Sequence, residues 1–320
     1  MRGKLLFYIA IVFMVGSCNS PGKSVREKNI YTIATLKGPS SMGMICMIDS
    51  LDRAKSSHLK VEIKDEPIQV RKMMLEGSAD FALLPSTMAA ILYNKGLDYK
   101  LMAIPVWGTL YLFGNDTTIK TWQDLKGKTV HVMARGMTPD VLFRNLLRKH
   151  GIKPGTDITL DYRFPTHIEL ANAVAAGRAD LAVISEPLVS LVMSKNLKVT
   201  PLFDLNLEWE KTAGIPMAQT AFLVKGELLS EHPQLVEQVL VAYKKSTRLV
   251  NQNPSGAAAL IVSHGILPDT VTALQSIPRS NLRFVRASEV KKETYQYLKI
   301  FYDMNPEIIG GKLPDEDFIQ

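Results

Sequence analysis

Apolar and polar positions recur with two periods along the chain and predict alternating strands and helices. Short apolar runs have the length of buried strands at residues 31–36, 60–64, 81–84, 99–106, 129–133, 158–162, 181–184 and 220–224. Apolar residues at helical spacing indicate helices at 42–54, 69–76, 88–93, 140–150 and 167–176, and a largely helical tail begins at residue 232. Because strands alternate with helices, the sequence predicts an α/β protein whose sheets are mainly parallel.

A duplicated segment divides the pattern into two similar units. Residues 77–82 read GSADFA and residues 177–182 read GRADLA. In both copies a glycine ends a helical pattern and a short apolar strand follows, which leads into a polar, helix-starting turn. A Gly-x-x-Asp turn is common in βαβ proteins, so coincidence is the alternative. Because similar segments follow both copies, the repeat favours two lobes that hold a ligand in the crevice at the carboxyl ends of their strands.

The first residues resemble an export signal of the bacterial lipoprotein type. Arg2 and Lys4 precede an apolar stretch at 5–15, which is too short to span a membrane, and small residues lead to Cys18. The resemblance implies a signal peptide at 1–17, a lipid on Cys18, a flexible tether at 18–28, and a location on the periplasmic or extracellular face of the cell envelope. An ordinary signal peptide with an incidental cysteine is the alternative.

Composition argues against several classes of function. The chain has 38 Lys and Arg against 31 Asp and Glu, and loss of residues 1–17 would leave a formal charge of +5. The basic residues are scattered and no nucleic-acid motif is present, so we expect no nucleic-acid partner. Cys46 lies among apolar residues and is interpreted as a buried hydrophobe. Six dispersed histidines and the lack of nucleophile, P-loop or dinucleotide motifs predict no metal, no cofactor and no catalytic residues.

An ordered set of short motifs resembles one group of binding proteins. The set begins with DLKGK at 124–128, continues through Arg135-Gly136, Gly151-Ile152, Pro165 and the repeated GxAD strand to Glu186-Pro187, and ends with GGKLPD at 310–315. It resembles the solute-binding proteins of the nitrate, sulfonate, taurine and thiamine-pyrimidine group, which have the type II periplasmic-binding fold. The resemblance implies two lobes joined by two crossing segments, with lobe I at 29–112 and 220–320 and lobe II at 113–219.

Candidate ligand contacts in lobe I follow its predicted strands. They are Gly38, Ser40, Ser41, Met42, Ser86, Thr87 and, near the crossing point, Trp107. Free backbone N–H groups at a helix start bind anionic or polar groups, and hydroxyls add hydrogen bonds. Helix capping is the alternative for the serines and threonine, and core or hinge packing is the alternative for the tryptophan.

Candidate contacts in lobe II are Arg135, Gly136, Met137, Thr138 and Glu186. An arginine at a helix start can form paired bonds to a sulfonate, carboxylate or phosphate, whereas a glutamate would accept bonds from an amine or a protonated ring nitrogen. If Arg135 and Glu186 both enter the cleft, a zwitterionic or heteroaromatic ligand fits better than a bare oxyanion. The alternative is that both charges face solvent. His167 is interpreted as a helix cap or surface residue.

The resemblance therefore implies a lipid-anchored, monomeric solute-binding component of an ABC importer. It would capture a small organic ligand that is sulfonate-, heteroaromatic- or zwitterion-like, and would pass it to the permease and ATPase of the inner membrane. Two alternatives remain at this point: an enzyme on the same fold, of the type that makes menaquinone or thiamine precursors, and an envelope sensor that presents its ligand to a receptor.

Overall fold

Two separate β-sheets organise the chain in the computed structural model, which describes residues 30–54, 58–133 and 135–320. The predicted signal peptide, Cys18 and the tether lie outside these residues. We call the part built on the first sheet lobe I and the part built on the second sheet lobe II.

The strands and helices follow the predicted alternation, and the structure adds elements that the sequence did not predict. The strands are β1 (Tyr31–Leu36), β2 (Leu59–Lys64), β3 (Phe81–Pro85), β4 (Tyr99–Val106), β5 (Leu110–Gly114), β6 (Thr129–Val132), β7 (Thr159–Asp161), β8 (Leu181–Ser185), β9 (Thr200–Asp204), β10 (Thr220–Lys225) and β11 (Leu282–Arg286). The α-helices are α1 (Pro39–Arg53), α2 (Pro67–Leu75), α3 (Ser86–Asn94), α4 (Thr138–Lys149), α5 (His167–Ala175), α6 (Leu188–Lys195), α7 (Leu205–Ala213), α8 (Gly226–Glu231), α9 (Pro233–Gln252), α10 (Pro254–Ser263), α11 (Thr270–Arg279) and α12 (Lys291–Met304).

Both sheets are mixed, and in each of them most strands run in the same direction, as expected. The first sheet has the order β11-β4-β10-β3-β1-β2, in which β1 pairs in parallel with β2 and β3, while β10 and β11 run antiparallel to their neighbours. The second has the order β7-β6-β8-β5-β9, in which β5 alone among the described strands runs against the others. Helices connect the parallel strands, so each lobe is an α/β unit with its strand ends turned to one edge.

The chain crosses between the lobes twice among the described residues. The first crossing is the short segment 107–109 between β4 and β5, and the second leads through 214–219 to β10. The predicted boundary at residue 112 falls inside β5, all of whose pairing is within lobe II, whereas the boundary at 219 coincides with the start of β10. The amide of Gln219 donates to Thr109 Oγ1 at 3.0 Å, so the two crossings are bonded to each other.

One hydrophobic cluster continues from lobe I into lobe II. It contains core residues of both sheets and passes between α7 of lobe II and α12 of lobe I. There the fully buried Trp209 lies with its ring centroid 5.7 Å from that of Tyr297 and 6.3 Å from that of Phe301. The lobes therefore share a core along this side, since aromatic side chains bury large areas and pack in such edge and offset arrangements.

Candidate functional site

Four strands end at helix N-termini that face each other across the two lobes. In lobe I, β1 leads into α1 and β3 leads into α3; in lobe II, β6 precedes α4 and β8 precedes α6. One contact and one close approach show that these helix starts meet. Thr87 Oγ1 lies 2.9 Å from Thr138 Oγ1, and a Cβ added to Gly38 would lie 3.4 Å from Cδ of Pro187. We call the region between these four helix starts the cleft.

Ser86 presents a buried hydroxyl without a partner at the cleft. It is 2 % exposed, and its Oγ has no hydrogen-bond partner among the described residues. Its backbone N–H donates to the carbonyl of Gln219 at 2.9 Å, which ties the start of α3 to the second crossing. A buried hydroxyl that makes no hydrogen bond is costly, so Ser86 Oγ lacks the partner that its burial calls for.

The start of α1 combines close backbone approach with local capping. Gly38 has a φ of +143°, a conformation that side chains resist, and a side chain there would meet Pro187 of the other lobe. Ser41 Oγ accepts from the Gly38 N–H at 3.1 Å, and Ser40 Oγ accepts from Thr35 at 3.1 Å. Capping therefore describes the Ser41 hydroxyl, whereas the Ser40 hydroxyl bonds to Thr35 and donates to the carbonyl of Leu36. The backbone N–H groups of the two serines remain the candidate ligand contacts. The side chain of Met42 is fully buried in the lobe I core.

The turn before α4 carries the predicted cation. Arg135 is exposed, and its guanidinium carbon lies 5.1 Å from the centroid of the Tyr162 ring. The Gly136 N–H donates to Asp140 Oδ2 at 2.8 Å, and the Tyr162 hydroxyl donates to Asp140 Oδ1 at 2.7 Å. Burial, together with that carboxylate, raises the pKa of Tyr162 to about 12. The network fixes the turn and leaves the charge of Arg135 without a carboxylate partner among the described residues. Met137 is half-exposed beside it.

Glu186 is held by partners inside the protein. Its side chain is fully buried; Ser190 donates to it from its hydroxyl at 2.9 Å and from its backbone N–H at 3.2 Å. Arg279, at the end of α11 in lobe I, forms an ion pair with it at 2.5 Å. Burial raises the pKa of the Glu186 carboxyl, although Arg279 and Ser190 act in the opposite direction. The carboxylate thus bridges the lobes rather than standing free.

Trp107 lies in the first crossing, and the structure does not bring it together with the helix starts. Its indole N–H donates to the carbonyls of Ile104 and Arg283, and the Arg283 guanidinium carbon lies 4.5 Å from the ring centroid. The side chain is 5 % exposed. Hinge packing, the alternative for this residue, describes this position.

Ser185 is a site candidate that the sequence predictions missed, and His167, which they interpreted as a helix cap or surface residue, lies beside it. Ser185 ends β8 directly before Glu186, and His167 Nε2 lies 3.4 Å from its hydroxyl. Burial lowers the pKa of His167 to about 4, so the imidazole is neutral near pH 7. The cap of α5 is Thr166, whose hydroxyl accepts from the Glu169 N–H, and not His167. Alignment of the two GxAD repeats pairs Ser185 with Pro85, the last residue of β3. This alignment could have located Ser185 at the edge of the sheet, but it gives no indication of His167.

Comparisons with known proteins agree with this architecture. Residues 55–257 match the family described as NMT1/THI5 like. The crystal structure of an ABC transporter protein from Parabacteroides distasonis is 28% identical, with a TM-score of 0.78 over 91% of this chain and 99% of that one. A stretch of 125 residues is 30% identical to YtlA of Bacillus subtilis, but it spans 38% of this chain and only 36% of YtlA.

Two more distant structures share the fold. The aliphatic sulphonate binding protein SsuA of Escherichia coli is 19% identical, with a TM-score of 0.70 over 89% of this chain and 91% of its own. The nitrate-binding protein NrtA of Synechocystis PCC 6803 is 14% identical, with a TM-score of 0.62 over 88% and 84%. The resemblance inferred from the ordered motifs is confirmed: the chain belongs to the NMT1/THI5-like family and has the type II periplasmic-binding fold.

Proposed function

We propose that this protein is the extracytoplasmic solute-binding component of an ABC importer and captures a small organic ligand by closing its lobes. The observation that carries the proposal is the contact of Thr87 with Thr138, because it joins two helix starts of different lobes at the strand ends where ligands of this architecture bind. Similarity to an ABC transporter protein supports the role. A ligand that binds the closed form better than the open form shifts the population toward closure.

The arrangement favours a small organic anion over a zwitterion. Arg135 supplies a cation, and Ser86 supplies a hydroxyl that lacks a partner among the described residues. Helix N-termini add backbone N–H groups and partial positive charge. Glu186 was the reason to expect an amine on the ligand, but its carboxylate is already paired with Arg279. A sulfonate or carboxylate on a small carbon skeleton therefore matches the polar groups that remain.

The proposal includes the location and partners inferred from the first residues. Residues 1–17 would direct export, and a lipid on Cys18 would hold the protein, as a monomer, at the envelope beside its permease and ATPase. In the part of the chain that the structure describes, no helix has both the length and the hydrophobicity needed to cross a bilayer. Mass spectrometry of the protein purified from the membrane fraction of a bacterial host would test the anchor; an intact residue 1 or an unmodified Cys18 would contradict it.

A thermal-shift panel of aliphatic sulfonates, carboxylates, nitrate, pyrimidines and amino-acid derivatives tests the function. We expect an organic anion to raise the melting temperature, because a ligand that binds only the folded state stabilises it by mass action. Ser86→Ala and Arg135→Gln should each weaken binding of that compound about tenfold. The matched controls Ser263→Ala and Arg178→Gln remove a hydroxyl and an exposed cation elsewhere and should bind as the wild type does.

The same samples separate capture from catalysis. The compound that binds is recovered after prolonged incubation and weighed by mass spectrometry, and we expect it unchanged. Conversion to a product would replace the proposed role with an enzymatic one. Failure of every compound to raise the melting temperature, or equal binding by site and control variants, would contradict the proposed cleft site.

A further inference from the structure

We propose that a groove between α9 and the edge strand β11 binds a phosphate-bearing group, independently of the cleft. The groove encloses about 560 Å³. Its cationic lining comes from Lys244, Lys245 and Arg248 of α9 and from Arg283 of β11, and no carboxylate is among the described residues that line it. This volume lies within the range of small-molecule sites, about 300–1,000 Å³.

The three α9 cations share one face of the helix. Lys244 and Arg248 are four residues apart, with Lys245 between them, and all three are exposed and lack an ion pair with a described carboxylate. Like charges at this spacing destabilise a helix. The helix dipole offsets this cost only within the last turn, which contains none of the three cations. A bound anion is the partner that this face lacks.

Neighbouring carboxylates are engaged or lie beyond the groove. Glu237, one turn before the groove on α9, forms an ion pair with Arg286 at 2.5 Å. Asp204 and Glu210 line the adjacent groove on the far side of Arg283, whose guanidinium covers the Trp107 ring. The lysines and Arg248 therefore have no acidic neighbour within their own groove.

The walls of the groove are held together before any ligand binds. Asn251 Nδ2, near the end of α9, donates to the carbonyl of Leu282 at 2.8 Å and fixes the helix to the strand. Val241, Leu282 and Phe284 contribute apolar surface to the lining. Lysine and arginine side chains pair strongly with phosphate oxygens, and the apolar wall accommodates carbon atoms attached to them. A soluble phosphate compound and a phospholipid headgroup share this chemistry.

The test uses two probes and a charge-matched pair of variants. Inorganic pyrophosphate is titrated calorimetrically, and co-sedimentation compares vesicles of phosphatidylcholine with vesicles that also contain phosphatidylglycerol. We expect Lys245→Gln/Arg248→Gln to weaken binding of the effective probe at least about fivefold. Lys95→Gln/Lys292→Gln removes the same charge from exposed positions outside the groove and should bind as the wild type does.

The outcomes distinguish the source of the phosphate and the failure of the proposal. Binding of pyrophosphate alone indicates a soluble ligand, whereas selective binding of phosphatidylglycerol vesicles indicates a lipid headgroup. No binding of either probe by the wild type, or equal losses in the two double variants, would overturn the proposal. If the groove variant does not fold, Lys245→Gln and Arg248→Gln are measured singly, with a loss of about twofold or more expected for each. Binding of the cleft ligand should be unchanged in the groove variant, so the two proposals fail separately.

Discussion

The carboxylate of Glu186 in lobe II is paired with the guanidinium of Arg279 in lobe I, with Oε1 and Nε 2.5 Å apart. Ser190 completes the cluster, because its hydroxyl donates to the carboxylate and accepts from Arg279 Nη2 at 2.7 Å. The Tyr111 hydroxyl donates to the backbone carbonyl of Arg279 at 3.1 Å and adds a second bond across the lobes. A residue whose type suggested ligand recognition is thus part of the connection between the lobes.

Breaking this pair should destabilise the protein through the charge that is left behind. Glu186→Gln and Arg279→Gln are each expected to lower the free energy of unfolding by about 2–3 kcal/mol, somewhat less than for a fully buried pair because Arg279 is partly exposed. In the double variant the effects should be less than additive by at least about 1 kcal/mol. Urea unfolding measures all three. The control is the exposed pair Lys299 and Asp303, whose single and double variants should show a coupling energy of at most about 0.5 kcal/mol. Additive effects at Glu186 and Arg279 would contradict the ion pair.

The Thr87–Thr138 contact should bias the lobes toward closure. Thr138→Val removes the bond without changing the shape of the side chain much, and a net loss of about 1 kcal/mol would lower the closed-to-open ratio about fivefold. Spin labels at residues 72 and 149, one in each lobe, report this ratio by double electron–electron resonance. Thr212→Val is the control, since that hydroxyl donates to Glu208 within α7. A distance distribution identical to that of the wild type would show that the contact does not bias closure.

Acidification should destabilise the protein partly through His167. Burial lowers the pKa of this imidazole from 6.5 to about 4, so as the pH falls through this window the unfolded chain takes up a proton that the folded protein does not. The free energy of unfolding should therefore decline between pH 6.5 and 4, with about 2–3 kcal/mol of the decline due to His167. Burial also lowers the pKa values of His131 and His150. The free energy of unfolding of the wild type should therefore decline by more than the contribution of His167 alone. Urea unfolding of His167→Gln should give a flatter profile; a parallel profile would contradict the assignment.

Two fully buried tyrosines should respond differently to loss of the hydroxyl. Tyr243 donates to the carbonyl of Ser40 at 2.8 Å, whereas the hydroxyl of Tyr297 has no partner among the described residues. Tyr243→Phe should cost about 0.5–1.5 kcal/mol because it removes this hydrogen bond between α9 and α1. Tyr297→Phe should be neutral or stabilising by up to about 1 kcal/mol, since it removes an unsatisfied group. The two variants serve as controls for each other in urea unfolding, and an equal loss in both would contradict this account.

Local patterns predict the regular part of the fold and miss elements that depend on distant neighbours. The glycines at 77 and 177 end helices and precede buried strands, as the duplicated segment indicates. Strand β11 was missed inside the helical tail because two of its five residues are arginines and it lies at the edge of its sheet. The boundary at 112 was placed too late because a continuous apolar run gives no sign of which sheet it joins.

The candidate site was predictable where a side chain follows a strand and not where its partner is remote in sequence. Ser86, Thr87 and Thr138 lie at helix starts that the strand pattern locates. Nothing local links Glu186 to Arg279, which follows 93 residues later and reaches it only because α11 packs on α6. Sequence reasoning therefore identified the polar edge of each lobe but could not assign the partner of each charge.

The shared core between α7 and α12 sets the geometry of any opening. The Thr87–Thr138 contact at the cleft is polar, so water can take its place at little cost when the lobes part. Trp209, Tyr297 and Phe301 have no such substitute, because separating them would expose large apolar surfaces. The lobes should consequently open as a rotation with this aromatic joint as the fulcrum, so that helix starts far from it travel furthest while the joint itself stays dry.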